Sequence, residues 1–182
     1  MKRAIITPAV LAGAALAELK AWLAITTNGD DAALAALLAT TLDTCEAFTG
    51  AMPLAQLCEE VLPASGCWQR LATRPVQAVT WVEGVPATGP RFALAVADYA
   101  VDLDADGGAS FRLVRTGAAA RVAVRFTAGL AAGWDALPES LRHGVLRLAA
   151  HHYRQRESDG GQAMPPAAIA ALWRPWRRMR VA

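Results

Sequence analysis

Pro138-Glu139-Ser140-Leu141-Arg142-His143-Gly144-Val145-Leu146-Arg147-Leu148-Ala149-Ala150-His151-His152 decides the fold class. Leu141, Val145, Leu148 and His152 recur every three or four residues and fall on one stripe of a helix. Pro138-Glu139 provides its start, a proline in the first turn followed by an acid at the positive end of the helix dipole. Immediately upstream the period is different. Val122, Val124 and Phe126 recur at step two, as do Phe111 with Leu113, and Phe92 with Leu94 and Val96. Val76, Val79 and Trp81 follow Pro75 in a similar apolar run. Step-two alternation describes half-buried strands. Gly84 to Pro90 and Asp104-Ala105-Asp106-Gly107-Gly108 are turns short enough to join antiparallel neighbours. The stretch from about 54 to 127 therefore predicts a small antiparallel sheet, and 137 onwards a return to helix.

Working back to the start, Thr7-Pro8 reads as a cap and first turn. Ala12, Leu16, Leu19 and Leu23 continue one apolar stripe, so a helix is expected over Thr7 to Ile25. Asp30-Asp31 opens a second helix, in which Leu34, Leu37, Leu38, Leu42, Cys45 and Phe48 bury one face, and Gly50 stops it. The four-residue link makes this pair an antiparallel hairpin. Working forward, Ser158 to Gln162 breaks the chain. Pro165-Pro166 opens a last short helix through Ile169 and Leu172, which Pro175 ends near Arg174. The expected class is α+β: an N-terminal helical hairpin, a small antiparallel β-sheet in the middle, and two C-terminal helices with an Arg/Trp-rich tail. It is read as a single domain over 1–182, with helices 7–50 and 137–173 packed together, a β insertion at about 54–127 and a tail at 172–182. Residues 58–71 carry more small and polar side chains than a paired strand should, and are left without an assigned structure.

The formal charge is only +2, but it is divided unevenly along the 182 residues. Up to Ala109 there are six basic and twelve acidic side chains; beyond it, twelve basic and four acidic. Such polarity suits a subunit whose two ends meet different partners. Enzyme motifs are missing. Neither GxxxxGK[ST], GxGxxG nor GxSxG occurs, and Ser65 and Ser110 have no base nearby in sequence. The three histidines, His143, His151 and His152, match no metal-ligand spacing. Asp102, Asp104 and Asp106 imitate the start of a calcium loop with Gly107 at the sixth position. The twelfth position holds Leu113 instead of the closing acid, so a polar turn is expected. Cys45, Cys58 and Cys67 lack CxxC spacing and read as reduced thiols. Met1-Lys2-Arg3 and the apolar run after it imitate an export signal, but the helical stripe runs through the cleavage site such a signal would need. No cofactor is expected.

The C-terminal segment Leu172-Trp173-Arg174-Pro175-Trp176-Arg177-Arg178-Met179-Arg180 mixes aromatic and guanidinium side chains, the usual energetic anchors of interfaces. Leu172, Trp173, Arg174, Trp176, Arg177, Arg178, Met179 and Arg180 are therefore assigned to partner binding, and deleting 172–182 is expected to leave a folded subunit unable to dock. His143, Arg147, His151 and Arg154 form a second, basic stripe on the 139–154 helix and are assigned to subunit contact or to a channel. A small basic nucleic-acid-binding protein is the alternative reading of the same residues.

In order along nearly the whole chain, the pieces resemble the head–tail connector (adaptor) proteins of long-tailed phages, a family that includes the adaptors of gene transfer agents. Leu16-Ala17-Glu18-Leu19-Lys20-Ala21-Trp22-Leu23-Ala24-Ile25 is similar to the family's opening helix. Asp30-Asp31-Ala32-Ala33-Leu34 through Phe48-Thr49-Gly50 is similar to its second. Arg74-Pro75-Val76-Gln77-Ala78-Val79, Asp98-Tyr99-Ala100-Val101-Asp102 and Val122 to Gly129 resemble its strands. Leu137-Pro138-Glu139-Ser140-Leu141-Arg142, the segment to Glu157, Pro165-Pro166 and Ala171 to Arg177 complete the match; Trp176 stands where the family often has Tyr. The resemblance implies a non-enzymatic subunit of a ring, commonly of twelve copies, in the neck of a virion or phage-like particle assembled in the bacterial cytoplasm. It implies as partners the portal protein, a neck/stopper or tail-terminator protein and further copies of the chain. DNA would pass through the channel without sequence-specific binding, and no membrane is involved. The C-terminal segment of the family commonly reaches the portal.

Overall fold

The computed structural model describes residues 3–11, 13–155 and 165–177. In chain order the elements are β1 (Arg3–Thr7), α1 (Gly13–Leu23), α2 (Asp31–Thr49), β2 (Gln56–Pro63), β3 (Gln69–Arg70), β4 (Val76–Val85), β5 (Phe92–Ala93), β6 (Tyr99–Leu103), β7 (Ala109–Leu113), β8 (Arg121–Ala128), α3 (Glu139–Arg154) and α4 (Ala167–Trp173). Short 3-10 turns lie at Val96–Asp98, Trp134–Ala136 and Arg174–Trp176. The class is α+β. The chain divides into a strand unit and a helix unit, with boundaries after Pro8, Leu54 and Gly129.

In the helix unit, the apolar spacing of α2 and α3 becomes a core. Leu34, Leu38 and Cys45 of α2 and Leu141, Val145 and Leu148 of α3 are buried together with Ala15, Leu19, Trp134 and Trp173. Each large aliphatic side chain so buried contributes about 1.5–3 kcal/mol. Thr41 and Thr49 share the buried face of α2, and each hydroxyl donates to the carbonyl four residues back, Leu37 O at 2.7 Å and Cys45 O at 2.8 Å. That bond is how a buried threonine stays satisfied inside a helix. The helix stops at Gly50, whose left-handed φ of 73° lets its N–H bond Glu46 O. Burial pushes the Cys45 thiol up to about 12, with the neighbouring Glu46 adding to the shift. Among the described residues no helix is long and apolar enough to cross a membrane.

The first helix begins at Gly13, not at Thr7. Residues Arg3–Thr7 are instead a strand paired antiparallel with β2, Ile5 opposite Cys58. The adjacent β-branched residues Ile5, Ile6 and Thr7 favour extended backbone, and Pro8 then ends the ladder because it has no N–H to donate. The α1–α2 link is clamped by Lys20, whose ammonium donates to Asn28 Oδ1 and Asp31 Oδ1, both at 2.7 Å.

The strand unit holds two antiparallel sheets where one was expected. Five strands run in the order β1-β2-β8-β4-β5, and three in the order β3-β7-β6. Cys58, Leu62, Val82, Phe111, Leu113, Val122, Val124 and Phe126 are among the buried apolar side chains of this unit. Residues 58–71, unassigned from sequence, contain β2, which is paired on both sides, and the short β3. Its polar residues have specific partners: the buried Glu60 carboxylate accepts the backbone N–H groups of Ala72 (2.9 Å) and Thr73 (2.8 Å). The alternation of Phe92, Leu94 and Val96 misleads in the other direction. Only Phe92–Ala93 is a strand; Val96 starts a 3-10 turn and is 78 % exposed. The Asp102–Asp106 stretch includes a turn held by Asp104, whose Oδ1 accepts N–H from Asp106 and Gly108.

Candidate docking surface

The C-terminal tail splits by residue type. Pro165-Pro166 leads into α4, and Trp173 at its end is completely buried. Its indole fits where Gly144 of α3 has no side chain; a Cβ at that position would collide with the Trp173 ring. The indole N–H donates to Leu141 O at 3.4 Å, and Phe48 of α2 lies 6.0 Å away, ring to ring. Trp176, in the 3-10 turn after α4, donates its indole N–H to Ser140 Oγ at 2.8 Å. Leu172 is partly buried against the same core. The aromatic half of the expected docking segment therefore faces inward. The reason is local: a glycine on α3 opens a slot, and an indole fills it while satisfying its own N–H.

The guanidinium half faces outward. Arg174 and Arg177 are exposed, and Arg177 stacks over the Phe48 ring at 5.4 Å. Arg178, Met179 and Arg180, assigned to the same role, lie outside the described residues. A deletion from Leu172 would remove core, because Leu172, Trp173 and Trp176 all pack there.

The α3 stripe is also divided. His143 meets Trp22 of α1 edge to face at 5.3 Å, which makes it a packing residue. Arg147 and His151 are half-buried and Arg154 is exposed; among the described residues no carboxylate pairs with either arginine. The His151 and His152 rings lie 5.9 Å apart, tilted by 54°, and burial with the neighbouring His151 depresses the basicity of His152. Arg142, one residue before the stripe, is held by Glu139 at 2.8 Å. Tyr153 donates its hydroxyl to Asp30, tying the end of α3 to the start of α2.

Sequence reading did not find the charge cluster on the five-stranded sheet. Glu59 of β2 accepts from Arg125 Nε of β8 at 2.8 Å and from Arg91 at 2.9 Å, and Glu83 of β4 lies 3.5 Å from both guanidinium groups. The signal was present: Glu59 and Arg125 are directly opposite in register, as are Arg125 and Trp81. Burial alone would raise the Glu59 pKa, but the hydrogen bonds and charges of Arg125 and Arg91 outweigh it and hold the carboxyl below its ordinary value. Both carboxylates of the cluster, Glu59 and Glu83, lie against guanidinium groups. Among the described residues no group of three or more His, Cys, Asp or Glu could hold a metal ion.

No family model and no curated protein matches the chain. Solved structures do. A chain from the neck of a native gene transfer agent particle computed with C12 symmetry is 32% identical, with a TM-score of 0.76, covering 100% of this chain and 98% of that one. A chain from the virion of a native gene transfer agent particle is likewise 32% identical, with a TM-score of 0.75 and the same coverage. A third, from the neck of an empty particle computed with C6 symmetry, is 29% identical with a TM-score of 0.79, again covering 100% and 98%. With sequence and fold agreeing from end to end, the chain belongs to the head–tail connector (adaptor) family that includes the adaptors of gene transfer agents.

Proposed function

We propose that this chain is a structural subunit of the neck of a gene transfer or phage-like particle, repeated in a ring between portal and tail components so that the ring prolongs the DNA channel. The observation that supports it is the full-length likeness to chains from gene transfer agent necks, at 32% identity in the C12 case. Its partners are then further copies of itself, the portal, and a stopper or tail-terminator protein. DNA passes through without base recognition.

In that assembly the tail is the docking element, and its geometry supports the assignment. Trp173 and Trp176 fasten α4 and the turn after it to α3, and the fastened turn presents Arg174 and Arg177 outward. Guanidinium groups on a fixed base suit pairing with carboxylates of a partner, because less side-chain freedom is lost on binding. Arg147, His151 and Arg154 supply a second basic surface for subunit contact or the channel wall.

Removing residues 177–182 together with Arg174→Glu tests the tail. The variant should fold with an unchanged circular dichroism spectrum, while DNA-filled heads accumulate without tails. Heads and tails that join normally would overturn the docking role.

A further inference from the structure

Both ends of the five-stranded sheet are open among the described residues, and they are different. At one end β1 pairs with β2 through one side of its backbone only. At the other end β5 covers only Glu83 and Gly84 of β4, with one more bond from Leu94 N–H to Val82 O. Val76 N–H is taken by Gly107 O. Between these bonds, residues 77–81 of β4 keep an uncovered outer edge, five residues long like β1.

Residues 77–81 of β4 carry no charged side chain and β1 carries one, Arg3 at its start, so charge does little to keep these exposed strands apart. On β1, Ile5 and Ile6 are 45 % and 46 % exposed, and on β4 Trp81 is 50 % exposed. Each edge is also irregular. The register of β1 against β2 shifts between Ile5 and Thr7, and that of β4 against β8 shifts between Val76 and Ala78 and again between Val79 and Trp81. Such bulges discourage pairing with an arbitrary regular strand and reserve the edge for a partner of matching shape.

Strand direction identifies that partner. The β1–β2, β2–β8 and β8–β4 pairings are all antiparallel, so β1 and β4 run in opposite directions. If a second copy is placed with its sheet continuing the first, its β1 arrives antiparallel to β4, in the same direction as β5 and on the same side. Two different, complementary edges on one subunit make a head-to-tail contact, the kind that closes a ring; an edge meeting its own copy would stop at a dimer. We infer that β1 of one copy pairs with residues 77–81 of β4 in the next, so that the subunits of the ring share one continuous sheet. This rests on the ring reading above, and strand addition of this kind draws its affinity from main-chain hydrogen bonds with side chains setting the register.

The test is disulfide trapping in purified particles carrying Cys67→Ser with Ile6→Cys and Thr80→Cys. Within one chain these positions are separated by about three strand spacings, ~14 Å, beyond the roughly 4–7 Å between Cα atoms that a disulfide spans. Oxidation should therefore give a ladder of covalent oligomers, while each single-cysteine variant stays monomeric. Dimers from Ile6→Cys alone would show like edges meeting and overturn the inference. So would particles that contain the chain in their necks but give no ladder. If the variants do not assemble, hydrogen exchange of the unsubstituted protein decides: residues 4–6 and 78–81 should exchange at least tenfold more slowly in particles than in the isolated chain, and unchanged exchange there refutes it. Particles lacking the chain altogether would instead refute the ring reading itself.

Discussion

Glu59 sits at the centre of the strand unit's charge cluster. Its side chain is 8 % exposed and holds two guanidinium groups from different segments. Glu59→Gln should cost about 1.5–3 kcal/mol, the range for hydrogen bonds to charged groups, measured by urea unfolding at neutral pH. Because the folded carboxyl titrates below its ordinary 4.5, its contribution is complete above that value and is lost as pH falls through the folded pKa. The unsubstituted protein should thus lose stability more steeply below about pH 4.5 than Glu59→Gln does, and equal slopes would contradict this assignment. Gly144 acts through what it lacks. Gly144→Ala forces the Trp173 indole out of its slot and should cost roughly 1–3 kcal/mol; an unchanged melting temperature would mean that the slot is loose. Trp173→Ala should cost more, about 3–5 kcal/mol, because it empties the slot entirely.

At the scale of elements, long strongly periodic segments were legible and short ones were not. The burial of α2 and α3 follows the three-and-four spacing of their apolar residues, and the αL stop at Gly50 follows from its chemistry. The first strand was missed because Arg3–Thr7 has too few residues to show a period and its pairing partner lies more than fifty residues away. Residues 58–71 were missed because Glu59 and Glu60 look solvent-facing until their partners, Arg91, Arg125 and the backbone of Ala72 and Thr73, arrive from distant positions. In the tail, composition identified the anchoring residues but not their direction. Nothing within 172–180 reveals that a glycine about thirty residues earlier has made room for Trp173. The division of that tail predicts that Arg174→Glu with Arg177→Glu leaves the melting temperature within about 1 °C, since surface changes fall within ±0.5 kcal/mol, while head–tail joining is lost. The thiols give a further check on the elements. Cys45 and Cys58 are buried and Cys67 is exposed, so alkylation of the native protein should modify one cysteine per chain, rising to three in denaturant.

For the whole molecule, the separation of charge along the sequence, acidic before Ala109 and basic after it, maps onto structure only approximately. The twelve acids before Ala109 are shared between both units, and the basic residues after Ala109 include Arg112, Arg115, Arg121 and Arg125 of the strand unit. What survives at this scale is a basic surface on the helix unit and an open-edged sheet in the strand unit, the two features that a repeated neck subunit would use. A symmetric reconstruction of purified particles, with a compact tag fused to the N-terminus of this chain, tests the account most directly. It predicts tag density repeated around the neck axis, with the tagged subunits forming a closed ring. Tag density spread over the capsid shell, or particles from which the chain is missing, would contradict it.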